Sequence, residues 1–478
     1  MGERIAIPEN GMTKTEILKA LGDRKAGDAD FMSPKTWSLV YYLGDEHTAL
    51  VREAYNLYFS ENALNPLAFK SLRSLEHEIV RMAADLLGGD GATVGTMTSG
   101  GTESCLLAVK TWRDYARSKR PFLKKPEMIL AETAHVAWEK GAEYFDVKIV
   151  RVPVGPDFRM DVAAVEKKIT RNTVLVVASA PDYPHGMVDP IAELGALALK
   201  KKVPLHVDAC LGGFFLPFAE KAGYPTPGFD FRIPGVSSIS ADLHKYAFAA
   251  KGASVLLYRD MEYFEKQFFV SESWPGGVFL STGLLGTRPG GAIAAAWAAL
   301  KGMGMEGYLA MARTTMEAAN KLRAGIAAIG GLEIVGTPTG SVFSYRSVDP
   351  KLDIYAVGDR MEAKGWHIDR LQRPEGLHAM VTPRHAGVVD RYLADLAEAV
   401  AAVRANPELK RQGDAATYGM IARVPLRGAV RHEVFKMARQ MYSSEGPGEA
   451  GLGHGGQGAG EPDRAAQDFG PGTPGGRE

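Results

Sequence analysis

Between residues 147 and 258 short apolar runs alternate with amphipathic stretches. Residues 147–152 (VKIVRV) predict a strand. Asp161 then stands as an N-cap ahead of Val162, Val165 and Ile169, a helical stripe. Residues 173–178 (TVLVVA) form a continuous apolar run of the buried-strand kind. Ile191, Leu194 and Leu197 make the next stripe, and residues 203–207 (VPLHV) the next strand. Residues 236–240 and 253–258 predict two more strands. This alternation implies βαβ units around a mostly parallel sheet. Ligands of such sheets bind beyond the carboxyl ends of the strands.

From about Met305 the pattern changes. A long helix is predicted over residues 308–329, stopped by Gly330 and Gly331. Short strands at 332–335 and 341–345 follow, then a helix over 353–364. The resulting division is an N-terminal segment (1–56), a large domain (57–310), a smaller α+β domain (311–442) and a tail (443–478). Residues 446–478 hold 12 glycines and four prolines, with Leu452 and Phe469 the only large apolar side chains. Such a segment buries too little surface to offset its ordering entropy, so a disordered tail is expected.

Composition narrows the class. Apolar residues make up 46% and charged residues 23% of the 478, which excludes a wholly disordered chain. Lys+Arg and Asp+Glu both number 56, so no global positive field favours nucleic acid or an acidic membrane. The N-terminus lacks a signal-peptide core, and the apolar run at 292–300 is nine residues where a membrane span needs about 20. Cys105 and Cys210 lie far apart, which argues against a disulfide framework or a zinc-ligand cluster. A soluble, cytoplasmic protein without a bound metal is the expectation.

Three short segments carry candidate chemistry. Residues 98–104 (TSGGTES) open a helix, and a glycine-rich turn feeding a helix N-terminus offers unpaired N–H groups to an anion. An ordinary capped turn reads equally well from these residues alone. Asp208, in HVDAC (206–210), ends an apolar strand, where a buried carboxylate needs a cationic or hydrogen-bonding partner. Capping of the Gly212–Gly213 turn is the competing reading. Lys245, in SISADLHK (238–245), follows a strand beside Asp242 and His244 and is placed to act as a Schiff-base amine. A lone lysine is more often a surface charge. Together, in this order, cradle, acid and lysine are the parts a pyridoxal phosphate site needs. His135, in AHVAWEK (134–140), falls between them and is a candidate to stack on the cofactor ring.

The chain resembles pyridoxal-phosphate enzymes of fold type I, in the group II decarboxylase superfamily, and more closely the sphingosine-1-phosphate lyase family. The resemblance rests on TSGGTES, PLHVDACLGGF (204–214), EKAGYP (220–225), FDFR (229–232) and SISAD-x-HKY (238–246). GGAIAAAWAAL (290–300), AKGWHIDRLQ (363–372) and ATYGMIA (416–422) extend it, so it runs from about Phe31 to Tyr442. It implies a large domain with a mostly parallel seven-stranded sheet and a smaller C-terminal domain. It implies pyridoxal 5'-phosphate on Lys245, Asp208 at the pyridine nitrogen, His135 on the ring, and Gly101, Thr102 and His244 at the cofactor phosphate. A loop matching GTRPG (286–290), with Thr287 where the family often has serine, would come from a neighbouring subunit, making a homodimer. Tyr41, Asn62, Asn65 and Lys251 would meet a substrate phosphate, and Tyr183 would stand near the reacting carbons.

The sequence departs from the family in three places. Asn65 replaces a histidine, which removes a potential positive charge but keeps a hydrogen-bond donor. Ala247 and Ala250 stand where the family has glycine and proline. The implied activity is retro-aldol cleavage of a phosphorylated long-chain base to a fatty aldehyde and phosphoethanolamine, with Lys245, His135 or Tyr183 as acid or base. The alternatives are an amino-acid decarboxylase of the same superfamily and a non-catalytic relative that kept the fold.

Overall fold

Seven strands make the central sheet: β1 (Val94–Thr98), β2 (Glu127–Ala131), β3 (Lys148–Val152), β4 (Thr173–Ser179), β5 (Leu205–Asp208), β6 (Val236–Ala241) and β7 (Ser254–Tyr258). Their spatial order in the computed structural model is β1-β7-β6-β5-β4-β2-β3. Strands β3, β2, β4, β5 and β6 pair in parallel, and β7 runs against both β6 and β1. The sheet is therefore mostly parallel, as the alternating pattern requires. The structure describes residues 6–65, 67–413, 415 and 427–443. The ATYGMIA match and residues 444–478 lie outside them.

All seven residues of β4 are buried, which accounts for its unbroken apolar sequence: both faces of the sheet are covered. Helix Gly101–Lys119, which the TSGGTES turn opens, packs Cys105, Val109, Trp112 and Ala116 inward. Trp112 is fully buried and donates its indole N–H to Ser238 Oγ at 2.9 Å. That pairing matters because a buried donor without a partner costs about 1–3 kcal/mol. Asp161 caps helix Val162–Lys168 by accepting from the Ala164 N–H at 3.0 Å.

Helix Gly290–Ala328 is longer than predicted. It is two helical runs joined at a kink at Gly304 (φ 54°), and the run before the kink was not among the predicted helices. Its early residues, such as Ile293 and Ala296, pack in the core under the large sheet. From Ala318 to Ile326 it joins a second core with Trp37, Phe343, Tyr345, Tyr355 and Trp366. That core backs an antiparallel sheet of β10 (Leu332–Ile334), β11 (Val342–Ser347), β12 (Arg370–Gln372) and β13 (Glu375–Met380), ordered β10-β11-β13-β12. The intervening β8 (Phe269–Ser271) and β9 (Phe279–Ser281) form a separate hairpin.

These elements belong to one unit, residues 10–423. The other unit comprises 1–9 and 424–478, and its described part includes helix Arg427–Met441. No helix among the described residues is long and apolar enough to cross a membrane.

Candidate active site

A cavity of about 510 Å³ opens at the carboxyl ends of β1, β4, β5 and β6. It is lined by Tyr41, Gly101, Thr102, His135, Tyr183, Asp208, His244 and Lys245, eight of the residues expected from sequence. Its position beyond the strand ends is the one the topology favours.

The glycine-rich turn follows β1. Gly100 sits at φ 153°, and a Cβ there would come within 3.3 Å of His244. A Cβ on Gly101 would lie 2.7 Å from Asp242 Oδ2 and 2.9 Å from Cys210 Sγ. The backbone thus comes closer to the strand-end residues than any side chain permits. The N–H groups of the first helical turn have no intrahelical acceptor and supply a positive dipole end.

Asp208 ends β5 and is buried. Its Oδ2 accepts the Trp138 indole N–H at 2.9 Å, and its Oδ1 accepts the Cys210 N–H at 3.2 Å. Burial alone would raise its pKa, but the nearby His135 and the Trp138 hydrogen bond outweigh it and hold the carboxyl below its ordinary value. Behind it, His206 lies between Ser238 Oγ at 2.7 Å and Ser240 Oγ at 3.1 Å, with its pKa pushed down to about 4 by burial. Asp208 is thus a buried anion held by the Trp138 and Cys210 hydrogen-bond donors with His135 nearby.

Lys245 follows β6 by a short turn, and its Nζ lies 2.9 Å from Asp242 Oδ2. Burial works to neutralise the amine, but Asp242 prevails and keeps its pKa above the ordinary lysine value. The other oxygen, Asp242 Oδ1, is buried and has no hydrogen-bond partner. His244 accepts the Ala253 N–H through Nδ1 at 3.4 Å, and burial lowers its pKa.

The two cysteines, far apart in sequence, meet in space. Despite their separation, the Cys105 and Cys210 sulfurs and the Asp208 carboxylate lie within 4.8 Å of one another, a grouping that could hold a metal ion. Burial pushes the Cys105 thiol up to about 11, and metal ligation needs the thiolate. Both thiols are free and line the cavity wall.

The remaining expected residues fall elsewhere. Lys251 lines a neighbouring cavity of about 290 Å³ that shares Tyr41 with the first, and its Nζ sits 5.6 Å from the Tyr41 ring centroid. Asn62, Asn65 and Thr287 do not line the cavity that holds Lys245. Asn62 Oδ1 accepts from Leu64 N at 3.2 Å and Asn65 Oδ1 from Leu67 N at 3.0 Å, so both side chains shape a turn. That turn is tied to the loop carrying Thr287, for Ala63 N donates to Arg288 O at 2.9 Å and Gly290 N to Glu61 O at 2.8 Å. Arg288 is fixed in turn by a two-pronged ion pair with Glu76, at 2.7 and 2.9 Å.

The cavity also holds residues that sequence reading missed. Ser38, Asp369 and His378 line it, from segments far from the glycine turn and the lysine in sequence. Asp369 falls inside the matched AKGWHIDRLQ segment and Trp138 inside AHVAWEK, without a role assigned to either; Ser38 and His378 fall in no quoted motif.

Taken as chemistry, the site offers an anion cradle, a buried carboxylate and an amine on one wall. The clearance at Gly101, the unpartnered Asp242 Oδ1 and the buried, ionised Asp208 fit a flat, phosphorylated, cationic heterocycle such as pyridoxal phosphate. Comparisons with known proteins agree. The pyridoxal-dependent decarboxylase conserved domain matches residues 38–346. A sphingosine-1-phosphate lyase of Oryza sativa subsp. japonica is 45% identical over 436 residues, covering 90% of this chain and 80% of that one. The solved sphingosine-1-phosphate lyase of Burkholderia pseudomallei superposes with a TM-score of 0.84 at 37% identity, over 93% of this chain and 98% of its own. A glutamate decarboxylase of Lactobacillus brevis, 22% identical, has a TM-score of 0.73 over 86% of this chain and 96% of its own, which shows the shared fold.

Proposed function

The chain belongs to the sphingosine-1-phosphate lyase family, and from that premise we propose that it cleaves sphingosine 1-phosphate or a related phosphorylated long-chain base to a fatty aldehyde and phosphoethanolamine. It is a pyridoxal-phosphate-dependent lyase. The observation that carries the reading is the cavity in which Gly101, Asp208 and Lys245 meet, in a chain 45% identical to a lyase.

Pyridoxal phosphate, when bound, supplies an electron sink for the pair released as the Cα–Cβ bond breaks. Lys245 would hold it through Nζ and, when not so engaged, could carry a proton to Cα. Asp208, steadied by Trp138, would pair with its ring nitrogen. The backbone N–H groups of Gly101 and Thr102, with His244, would hold its phosphate. His135 would lie against its ring, and Tyr183 would serve the bond that breaks. Tyr41 and Lys251 take the substrate phosphate, Lys251 supplying the charge.

Asn62, Asn65 and Thr287 complete the site from a second copy of the chain, in a homodimer. Two features support this. The three residues share one surface away from their own chain's cavity. That surface also carries exposed Leu64, Leu67, Leu280 and Leu285, apolar area that favours burial against a partner. The test of the catalytic reading is Lys245→Ala, which abolishes both turnover and the visible absorbance of the attached cofactor; retained turnover refutes it.

A further inference from the structure

The candidate bases of this site are already engaged. Lys245 Nζ is held as an ammonium by Asp242 at 2.9 Å. His135 uses Nδ1 to accept the Ala137 N–H at 3.2 Å, so that nitrogen is already engaged. Tyr183 carries its phenolic proton, because burial and the charge of Asp369 both raise its pKa. Cleaving a carbon–carbon bond beside a hydroxyl nevertheless requires a group to take the hydroxyl proton.

Asp369 supplies what is missing. It precedes β12, yet it lines the same cavity as Lys245. Its Oδ2 accepts the Tyr183 O–H at 2.8 Å, and its Oδ1 accepts the Ser38 O–H at 3.1 Å. His378, on β13, fixes the geometry: its Nε2–H donates to the Tyr183 carbonyl at 2.9 Å, its ring stacks on the phenol at 4.4 Å, and its backbone N–H donates to Asp369 O at 2.9 Å. The phenol is therefore held from its backbone, its ring face and its hydroxyl, with a carboxylate at hydrogen-bond distance. A neutral phenol that can hand its own proton onward is able to accept another.

Resting on the lyase reading, we propose that Asp369 is the terminal proton acceptor of the cleavage, reached through Tyr183. The substrate β-hydroxyl gives its proton to Tyr183 Oη as the phenolic proton passes to Asp369 Oδ2. The hydroxyl oxygen forms the aldehyde C=O, the Cα–Cβ bond breaks, and its electron pair stays on Cα, the charge that pyridoxal phosphate would stabilise there. Lys245 then protonates Cα, and Asp369 returns its proton to Lys245 through solvent, so each turnover closes with no net gain or loss of protons. Ser38 and His378 are positioning residues for this relay.

Steady-state and single-turnover assays with sphingosine 1-phosphate test it. Asp369→Asn should lower kcat about 100-fold or more, within the range for loss of a general base, while KM and the cofactor absorbance stay near wild type. Tyr183→Phe should cost a similar factor, and the double variant no more than either alone, because the two act as one unit. Full kcat in Asp369→Asn, or multiplied losses in the double variant, overturns the relay. A measurement on the unaltered enzyme guards against a misfolded variant: single-turnover rates in H₂O/D₂O mixtures should curve as two protons in flight demand, and a linear dependence overturns the proposal. Wild-type enzyme that releases no aldehyde refutes the lyase reading itself, an outcome distinct from the others.

Discussion

Asp242 Oδ2 stands 2.9 Å from Lys245 Nζ while its other oxygen has no partner at all. The pairing holds the lysine charged against the pull of burial. Asp242→Asn removes the strongest of the groups that hold the amine charged against burial, so the amine pKa falls. The rate at which apoenzyme takes up pyridoxal phosphate should then rise with pH at lower pH than in wild type. An unmoved pH profile, followed by stopped-flow absorbance, contradicts the assignment.

Trp138→Phe keeps a ring beside His206 but removes the N–H that Asp208 Oδ2 accepts at 2.9 Å. Hydrogen bonds to charged groups contribute about 1.5–3 kcal/mol, so cofactor affinity should fall roughly 10- to 100-fold. Titration of apoenzyme with cofactor measures it, and unchanged affinity argues against Asp208 as the pyridine partner.

Gly101→Ala places a Cβ 2.7 Å from Asp242 Oδ2. The variant should fold and lose cofactor binding, because the clash falls inside the cradle and outside the sheet core. Near-UV circular dichroism and cofactor absorbance separate the two effects; full cofactor occupancy would show that the turn does not hold the phosphate.

How much of this was legible in the sequence depended on whether the signal was local. Strands β3 to β7 were readable as apolar runs, whereas β1 and β2 were not. β1 (VGTMT) contains Gly95, whose Cβ would meet Leu256 O at 2.3 Å, so close strand contact removed the apolar residue that would have marked it. The helical run before Gly304 was not legible as an amphipathic helix, since residues 292–300 are apolar all round and almost all buried; Gly304 itself breaks the helix at φ 54°. Lys245, Asp208 and the glycine turn were visible because each sits at a strand end. Ser38 and His378 were invisible, and Asp369, though inside the matched AKGWHIDRLQ segment, had no readable role: they reach the cavity only through pairing of distant segments, such as Tyr183 with Asp369, 186 positions apart.

His385 gives a stability test remote from the catalytic groups. It is buried, its Nδ1 accepts the Thr382 N–H at 2.8 Å, and its pKa is pushed down to about 4 by burial. The folded pKa lies below the unfolded value of about 6.5, so its contribution is present above pH 6.5 and is lost as pH falls toward 4. The stability advantage of wild type over His385→Gln should narrow by about 3 kcal/mol across that window. Denaturant unfolding at several pH values measures it, and a constant gap contradicts the buried neutral state.

Leu285→Glu places a charge on the apolar surface beside Thr287. The variant should sediment as a monomer and lose lyase activity, since Asn62, Asn65 and Thr287 then serve no second cavity. A fully active monomer would contradict the shared site.

The most direct test of the central claim is product analysis with purified protein, pyridoxal phosphate and sphingosine 1-phosphate. Fatty aldehyde and phosphoethanolamine should appear in equal amounts, and neither should form with Lys245→Ala. Absence of both from the wild type, with CO₂ released from an amino acid instead, would contradict it and make the protein a decarboxylase.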